Sequence, residues 1–352
     1  MRTVSWDSTT PAVRIIDQRR LPADLVIIDL HNPQEVTTSI RQMAVRGAPA
    51  IGAVAAFGLA LAGQLSAAGS AQDLWNDLEA AATMLRDARP TATNLGWALD
   101  RLLQTAHDSL EKGPQTMRRR LVEEAQKLAD EDVEVNRRIG QHGADLINDG
   151  ATVLHHCNTG ALATVDYGTA LGVIRTAHDQ GKRVHVLVDE TRPRLQGARL
   201  TAWELDQYGI SYEIITDNAA GYYLHSGQVD AVFVGADRVA SNGDVANKIG
   251  TYMLALAAHD NDVPFYCAVP TSTIDLSLPS GETIPIEERD PAEVLDLQRQ
   301  GQPVAPDGSR ARNPAFDVTP YRLITAFITE IGVLHPPYST SLSRAVKEAQ
   351  RK

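Results

Sequence analysis

Apolar residues recur at three- and four-residue spacing up to about residue 145, in AIGAVAAFGLALAGQLSAAG, DLWNDLEAAATMLRDA and NLGWALDRLLQTAHDSLEKG. That period puts them on one face of an α-helix, so this half reads as mostly helical, with a short β start at LVIIDL. From residue 151 the rhythm changes. Short apolar runs rich in β-branched residues, TVLHH, RVHVLVD, YEIIT, AVFVGA and FYCAVP, are each followed by a turn and a helix-like segment. The helix candidates are GTALGVIRTAHDQG, ARLTAWELDQYG, NAAGYYLHSG and NKIGTYMLALAAHD. Alternating β and α elements predict a parallel sheet covered on both faces, because parallel strands need long crossovers.

The pattern therefore predicts an α/β protein. A smaller, mostly helical N-terminal domain is expected over 1–130 and a parallel-sheet domain over 131–352, with EVNRRIGQHGADLIND as the helix leading into the sheet. A chain of 352 residues exceeds what one compact core usually serves, in keeping with two domains. After Pro270 the stretches TSTIDLSLPSGETIPIEERDPAEV and PVAPDGSRARNPAFDVTP, rich in proline, glycine and charge, predict loops near the sheet edge, followed by a closing helix from Tyr321.

Composition narrows the function. A hydrophobic content of 43% and a charged content of 22% are those of a folded globular chain. A net charge of −11 opposes nonspecific attraction to nucleic acid or anionic membranes, so no nucleic-acid or membrane partner is expected and any phosphate must meet a local basic pocket. No stretch is expected to reach the roughly 18 uncharged apolar residues of a spanning helix, and the N-terminal MRTVSWDSTTPAVRIIDQRR has no continuous apolar run, which makes the cytoplasm the expected location. The two cysteines, Cys157 and Cys267, cannot build a disulfide framework, a multi-cysteine zinc site or an iron–sulfur cluster.

In an open parallel sheet, ligands bind outside the carboxyl ends of the strands. There TVLHH ends in Cys157-Asn158-Thr159-Gly160, YEIIT in Asp217-Asn218 and AVFVGA in Asp237-Arg238, while RVHVLVD passes into Glu190 and on to Gln196-Gly197. Cys157, expected where a turn opens a helix, would sit near unpaired N–H groups that favour a thiolate, able to act as base or nucleophile; the alternative is a small buried apolar residue. Asp237 follows a wholly apolar run, and desolvation would fit its carboxyl for acid catalysis; the alternative is a turn aspartate bonded to its own loop. Cys267 lies inside a strand run and reads as core. His155 and His156 point to opposite faces of a strand, so they read as packing residues or supports for their neighbours rather than a metal pair.

For phosphate, the candidates are Arg46-Gly47-Ala48, where a glycine turn opens an apolar helix, Asn247-Lys248 at another helix start, and Arg89 just before a helix. A nicotinamide dehydrogenase, the obvious rival on a parallel sheet, predicts GxGxxG; no G-x-G occurs, and no P-loop.

The motifs RGAPAIG (46–52), RPTATNL (89–95), HCNTGALAT (156–164), DETRPRLQGARLTAWEL (189–205), GADRVASNGDVANKIGTY (235–252) and NPAFDVTP (313–320) occur in order across nearly the whole chain. Together they resemble the methylthioribose-1-phosphate isomerase family of methionine salvage. The resemblance implies a small N-terminal domain, a Rossmann-like C-terminal domain without dinucleotide, and a homodimer; no metal or organic cofactor is expected, since phosphate contacts and two acid–base groups suffice for an aldose–ketose shift. It also implies Cys157 and Asp237 as the catalytic pair, with Arg46, Gly47, Ala48, Arg89, Gln196, Asn247 and Lys248 holding a sugar phosphate. Ribose-1,5-bisphosphate isomerases share the fold of this family with activity, and the regulatory subunits of the eukaryotic initiation-factor guanine nucleotide exchange factor share it without isomerase activity. The presence of both Cys157 and Asp237 favours an isomerase over a purely regulatory protein, and no further basic cluster offers a bisphosphate its second anion site.

Overall fold

A computed structural model describes residues 1–90 and 92–351, so Thr91 of the RPTATNL motif lies outside the described residues. The chain forms two compact units that are not consecutive in sequence. The first comprises residues 1–137 and 159–168, the second 138–158 and 169–352.

In the first unit, β1 (Val4–Asp7), β2 (Ala12–Ile16) and β3 (Ile27–Leu30) form an antiparallel sheet in that order, where the sequence pattern shows only the last as a strand. Four helices follow: α1 (Pro33–Arg41), α2 (Ala48–Leu65), α3 (Ala71–Arg86) and α4 (Thr93–His107). A fifth, α5 (Pro114–Ala144), runs from the first unit into the second. Helix α2 is 18 residues long and uncharged, so it does reach the length and composition of a membrane span, contrary to the sequence expectation. Its all-round apolarity has another cause: it is the central helix of this unit's core, with 72% of its residues buried.

In the second unit the chain continues through β4 (Thr152–His155), α6 (Ala170–Asp179), β5 (His185–Asp189), α7 (Ala202–Tyr208), β6 (Ser211–Ile215), α8 (Ala220–His225), β7 (Ala231–Val234), β8 (Arg238–Ala240), β9 (Val245–Lys248), α9 (Thr251–Asp260) and β10 (Phe265–Ala268). Then come β11 (Ile274–Asp275), α10 (Ala292–Leu295), β12 (Gln298–Arg299), β13 (Gln302–Pro303), β14 (Phe316–Thr319), β15 (Ala326–Thr329), β16 (Gly332–Leu334) and α11 (Tyr338–Ala349). The main sheet has the order β16-β15-β10-β7-β4-β5-β6, parallel except for β16. Its six parallel strands, counted in chain order, run 3-2-1-4-5-6, the order of a doubly wound sheet whose switch point lies between β4 and β7. A four-stranded sheet, β11-β8-β9-β14, stands beside it.

Two expectations fail here. The closing helix does not begin at Tyr321: Tyr321–Leu323 is a single 3₁₀ turn, and the following AFIT run is the fully buried strand β15. A short buried strand and a buried helix segment look alike in hydrophobic pattern; here β-branched Ile328 and Thr329 belong to the strand, and the last helix waits until Tyr338. Nor do Asn247 and Lys248 open a helix. They end strand β9, paired with Asp317 and Phe316 of β14, and Gly250 at φ +105° separates them from α9.

Candidate active site

The register across the switch point brings two strand ends together. Strands β4 and β7 pair through His155 and Phe233, and just beyond these ends come Cys157 and Asp237. Cys157 is buried, 6% exposed, and Asp237 is half-buried.

Cys157 does not open a helix. A single 3₁₀ turn, Ala161–Ala163, follows it and α6 starts only at Ala170, so no helix dipole acts on the thiol as the sequence suggested. Instead its backbone is held in the left-handed region at φ +69°, a conformation most side chains avoid and functional loops retain. Two buried threonines fix it: the Cys157 N–H donates to Thr191 Oγ1 (2.9 Å), and Thr201 Oγ1 donates to the Cys157 carbonyl (2.7 Å). Next in the chain, the Asn158 amide donates to Glu204 Oε1 at 2.8 Å.

Asp237 is anchored through its own N–H, which donates to the Ala246 carbonyl (2.9 Å) and ties the β7 end to β9. On β9, Asn247 Nδ2 donates to Thr251 Oγ1 at 3.0 Å, and Lys248 Nζ donates to the Ala315 carbonyl at 2.7 Å while lying 4.8 Å from the Phe316 ring centroid. Gln196 is 3% exposed, and its side-chain oxygen has no protein partner. It precedes Gly197, where a Cβ would stand 1.7 Å from the Asp189 carbonyl oxygen, and a five-residue π-helix, Gly197–Thr201, a form enriched at functional sites. Cys267 is fully buried; its Sγ donates to the Gly235 carbonyl at 3.4 Å and burial raises its thiol pKa well above the ordinary value, as a core residue should show.

The first unit holds Arg46, Gly47, Ala48 and Arg89. Helices α1 and α3 are capped by their own side chains, Asn32 accepting from the Glu35 N–H and Ser70 from the Asp73 N–H. Helices α2 and α4 carry no side-chain cap and no acidic residue in the first turn, leaving N–H groups suited to an anion. The second turn of α2 lies against the first turn of α4: a Cβ on Gly52 would lie 3.0 Å from the Asn94 carbonyl oxygen. Arg46 and Arg89, both half-buried, precede those two turns, and the buried Thr93 Oγ1 and Asn94 Oδ1 there have no protein partner.

Residues 44–336 match the Initiation factor 2 subunit family. Over 344 residues, 98% of each chain, the protein is 50% identical to a methylthioribose-1-phosphate isomerase of Desulforamulus reducens.

The chain belongs to the methylthioribose-1-phosphate isomerase family.

The crystal structure of a 5-methylthioribose 1-phosphate isomerase from Pyrococcus horikoshii superimposes with a TM-score of 0.91 at 45% identity, covering 99% of this chain and 96% of that one. A structure of translation initiation factor eIF-2B, subunit delta, from A. fulgidus gives 0.87 at 42%, covering 99% of both.

In this member of the isomerase family, sequence reasoning missed several supporting groups: Thr93, Asn94, Thr191, Thr201 and the partner of His156. His155 is neutral, burial pulling its pKa down to about 4, and its Nδ1–H donates to the Phe233 carbonyl at 2.8 Å. His156 instead faces Asp189, and with Asp217 these residues bring three ligand-type atoms within 4.8 Å of one another. His156 Nδ1 stands 2.8 Å from Asp189 Oδ2, hydrogen-bond distance, and the Asp217 oxygens accept the N–H groups of Thr191 (2.6 Å) and Arg192 (2.7 Å). The cluster is a hydrogen-bonded hub.

Proposed function

We propose that this protein converts 5-methylthioribose 1-phosphate to 5-methylthioribulose 1-phosphate, the aldose–ketose isomerisation of methionine salvage. The observation that carries the reading is the placement of Cys157 and Asp237 at adjacent strand ends of the switch point, in a chain 50% identical over nearly its whole length to an isomerase of that name.

The substrate sets the chemical problem. Its anomeric oxygen carries the phosphate, so the ring cannot open through a free hemiacetal and the C1–ring oxygen bond must be broken directly. Asp237 donates a proton to the departing ring oxygen, and Cys157 takes a proton from the C2 side. In one route that proton comes from C2 itself, giving an enol phosphate that is reprotonated at C1. In the other, the C2 hydrogen moves with its electron pair to C1 while Cys157 removes the 2-hydroxyl proton. Both end at the open-chain ketose 1-phosphate.

Arg46, Gly47, Ala48, Arg89, Gln196, Asn247 and Lys248 hold the substrate in this reading. The uncapped starts of α2 and α4 support a phosphate role for the first four, and the unpartnered Gln196 oxygen supports a ligand contact. Phosphate contacts and two acid–base groups suffice for the shift, so neither metal nor organic cofactor takes part. The wider reading is a mostly helical module over 1–130 before a Rossmann-like catalytic module over 131–352, a homodimer, and a cytoplasmic location without nucleic-acid or membrane partners. The methylthio group is worth only about 1–3 kcal/mol of discrimination, so 5-deoxyribose 1-phosphate is an expected second substrate.

The test is incubation with methylthioribose 1-phosphate in heavy water, followed by proton and phosphorus NMR. Conversion establishes the isomerase; deuterium at C1 selects the enol route, and protium retained there selects hydride transfer or a shielded proton. No conversion by folded protein overturns the reading in favour of another sugar phosphate, such as ribose 1,5-bisphosphate, or of the regulatory role to which the likeness to an eIF-2B subunit points.

A further inference from the structure

One buried histidine ties the catalytic strand end to the Asn247-Lys248 turn. His156 is 1% exposed and immediately precedes Cys157. Its Nε2 lies 2.9 Å from the Ile249 carbonyl, which can only accept, so Nε2 carries a hydrogen. Its Nδ1 meets Asp189 Oδ2 at 2.8 Å, and Asp189 is 2% exposed. Burial alone would lower the His156 pKa, but the hydrogen bond and charge of Asp189, the charge of Asp217 and the Ile249 carbonyl raise it above the ordinary value.

The surroundings are shaped to this ring. Gly250 adopts φ +105°, and a Cβ there would stand 2.9 Å from His156 Cε1. On its other side the turn is held by Asp317, which accepts the N–H groups of Gly250 (2.7 Å) and Tyr252 (3.1 Å). Asp189 acts twice. Its carboxylate holds His156, while its backbone carbonyl accepts from Thr191 Oγ1 at 3.0 Å, the same hydroxyl that accepts the Cys157 N–H. Residues 156 and 157 are thus both referred to one residue at the end of β5.

A buried ion pair is weak evidence for stability, since packed apolar residues often serve as well; what it supplies is fixed geometry. We infer that His156 is a positioning residue with two separable arms: the Asp189 arm sets Cys157 for the chemical step, and the Ile249 arm sets the Asn247-Lys248 turn for substrate binding. The inference rests on the isomerase reading of this site.

Asparagine can place an amide N–H near the Nδ1 position, and glutamine near Nε2. His156→Asn therefore keeps the Asp189 arm and releases Ile249, whereas His156→Gln keeps Ile249 and releases Asp189. With full-length protein and methylthioribose 1-phosphate, His156→Asn is expected to raise KM about tenfold with kcat within about twofold of wild type, the signature of lost uniform binding. His156→Gln is expected to lower kcat about 100-fold with KM little changed, as a displacement near 1 Å would do. Asp189→Asn, which keeps the volume and one neutral hydrogen bond, provides a second route if the histidine variants do not fold, and is expected to lower kcat by about tenfold or more with KM little changed. The same lowering of kcat and raising of KM in both histidine variants, or wild-type kcat in Asp189→Asn, overturns the inference. Absence of turnover by the wild type overturns instead the isomerase reading on which it rests.

Discussion

Gly47, in the turn that opens α2, stands against Ala163 of the 159–168 segment within the first unit. It stands at φ +97°, outside the range of ordinary L residues, and a Cβ there would lie 2.2 Å from the Ala163 carbonyl oxygen and 2.5 Å from the Ala163 Cα. Replacing it by alanine adds two costs. The backbone strain of such a conformation is about 1–3 kcal/mol. Overpacking a well-filled site costs about another 1–3 kcal/mol, and here the neighbour is backbone, which cannot rotate away. The sum, about 2–6 kcal/mol, is a large part of the roughly 5–15 kcal/mol that a folded domain usually holds. Gly113 provides the control. It also has positive φ, +83°, but nothing lies within 4 Å of its Cβ position, so Gly113→Ala carries the strain without the collision. Guanidinium unfolding followed by tryptophan fluorescence suits the comparison, because Trp6, Trp75 and Trp97, three of the four tryptophans, lie in the first unit and Trp6 stacks on Phe57 of α2. Gly47→Ala should lose at least about 1 kcal/mol more than Gly113→Ala and, by moving the α2 start, raise KM. Equal losses in the two variants would refute the packing argument.

Cys157→Ala and Asp237→Asn should each lower kcat about 10²–10⁴-fold, the usual worth of a general acid or base, while thermal unfolding shifts little; near wild-type kcat in either variant removes that residue from its role. Turnover should survive exhaustive chelation, and loss of activity restored by one added metal would contradict the cofactor-free reading. Asp132 Oδ2 accepts the Val165 N–H at 2.8 Å, and burial, helped by the charge of Asp166, pushes the carboxyl pKa up to about 7. An unfolded aspartate titrates near about 4, so between those values the folded state keeps a proton the unfolded state has released, and stability falls as pH rises through the window. Asp132→Asn removes this slope; its stability relative to wild type should increase from pH 4 to pH 8, and a pH-independent gap in denaturant titrations would dispose of the assignment.

Four of the five β-branched runs were legible because the interior strands of a parallel sheet are buried on both faces and so read as unbroken apolar stretches. Strand β6 was legible in spite of its edge position, where Ile214 is exposed, through its β-branched content. The hairpin β8–β9 was not, because ASNGDVANKIG is polar and glycine-rich and owes its pairing to β14, nearly 70 residues later in the chain. Arg46-Gly47 could be recognised as a turn before a helix, but not that residues 159–168 fold with it: that excursion follows from contacts such as Thr3 N–H to the Val165 carbonyl, which leave no periodic trace.

The hub around His156 shows the same limit more sharply. Sequence spacing set His155 and His156 on opposite faces of the strand, and the two rings do part, to the Phe233 carbonyl and to Asp189. It could not find the partners of His156, because Asp189 is 33 residues away and Ile249 is 93, each at the end of a different strand. Strand ends converge only once the sheet is assembled, and the switch point brings β4 and β7 together although they lie far apart in sequence. The two candidate residues could thus be singled out by position, each just after an apolar run. The residues that aim them are visible only when the sheet order is known, and it is their geometry, two threonines and one ion pair around a left-handed cysteine, that distinguishes an arranged thiol from a merely buried one.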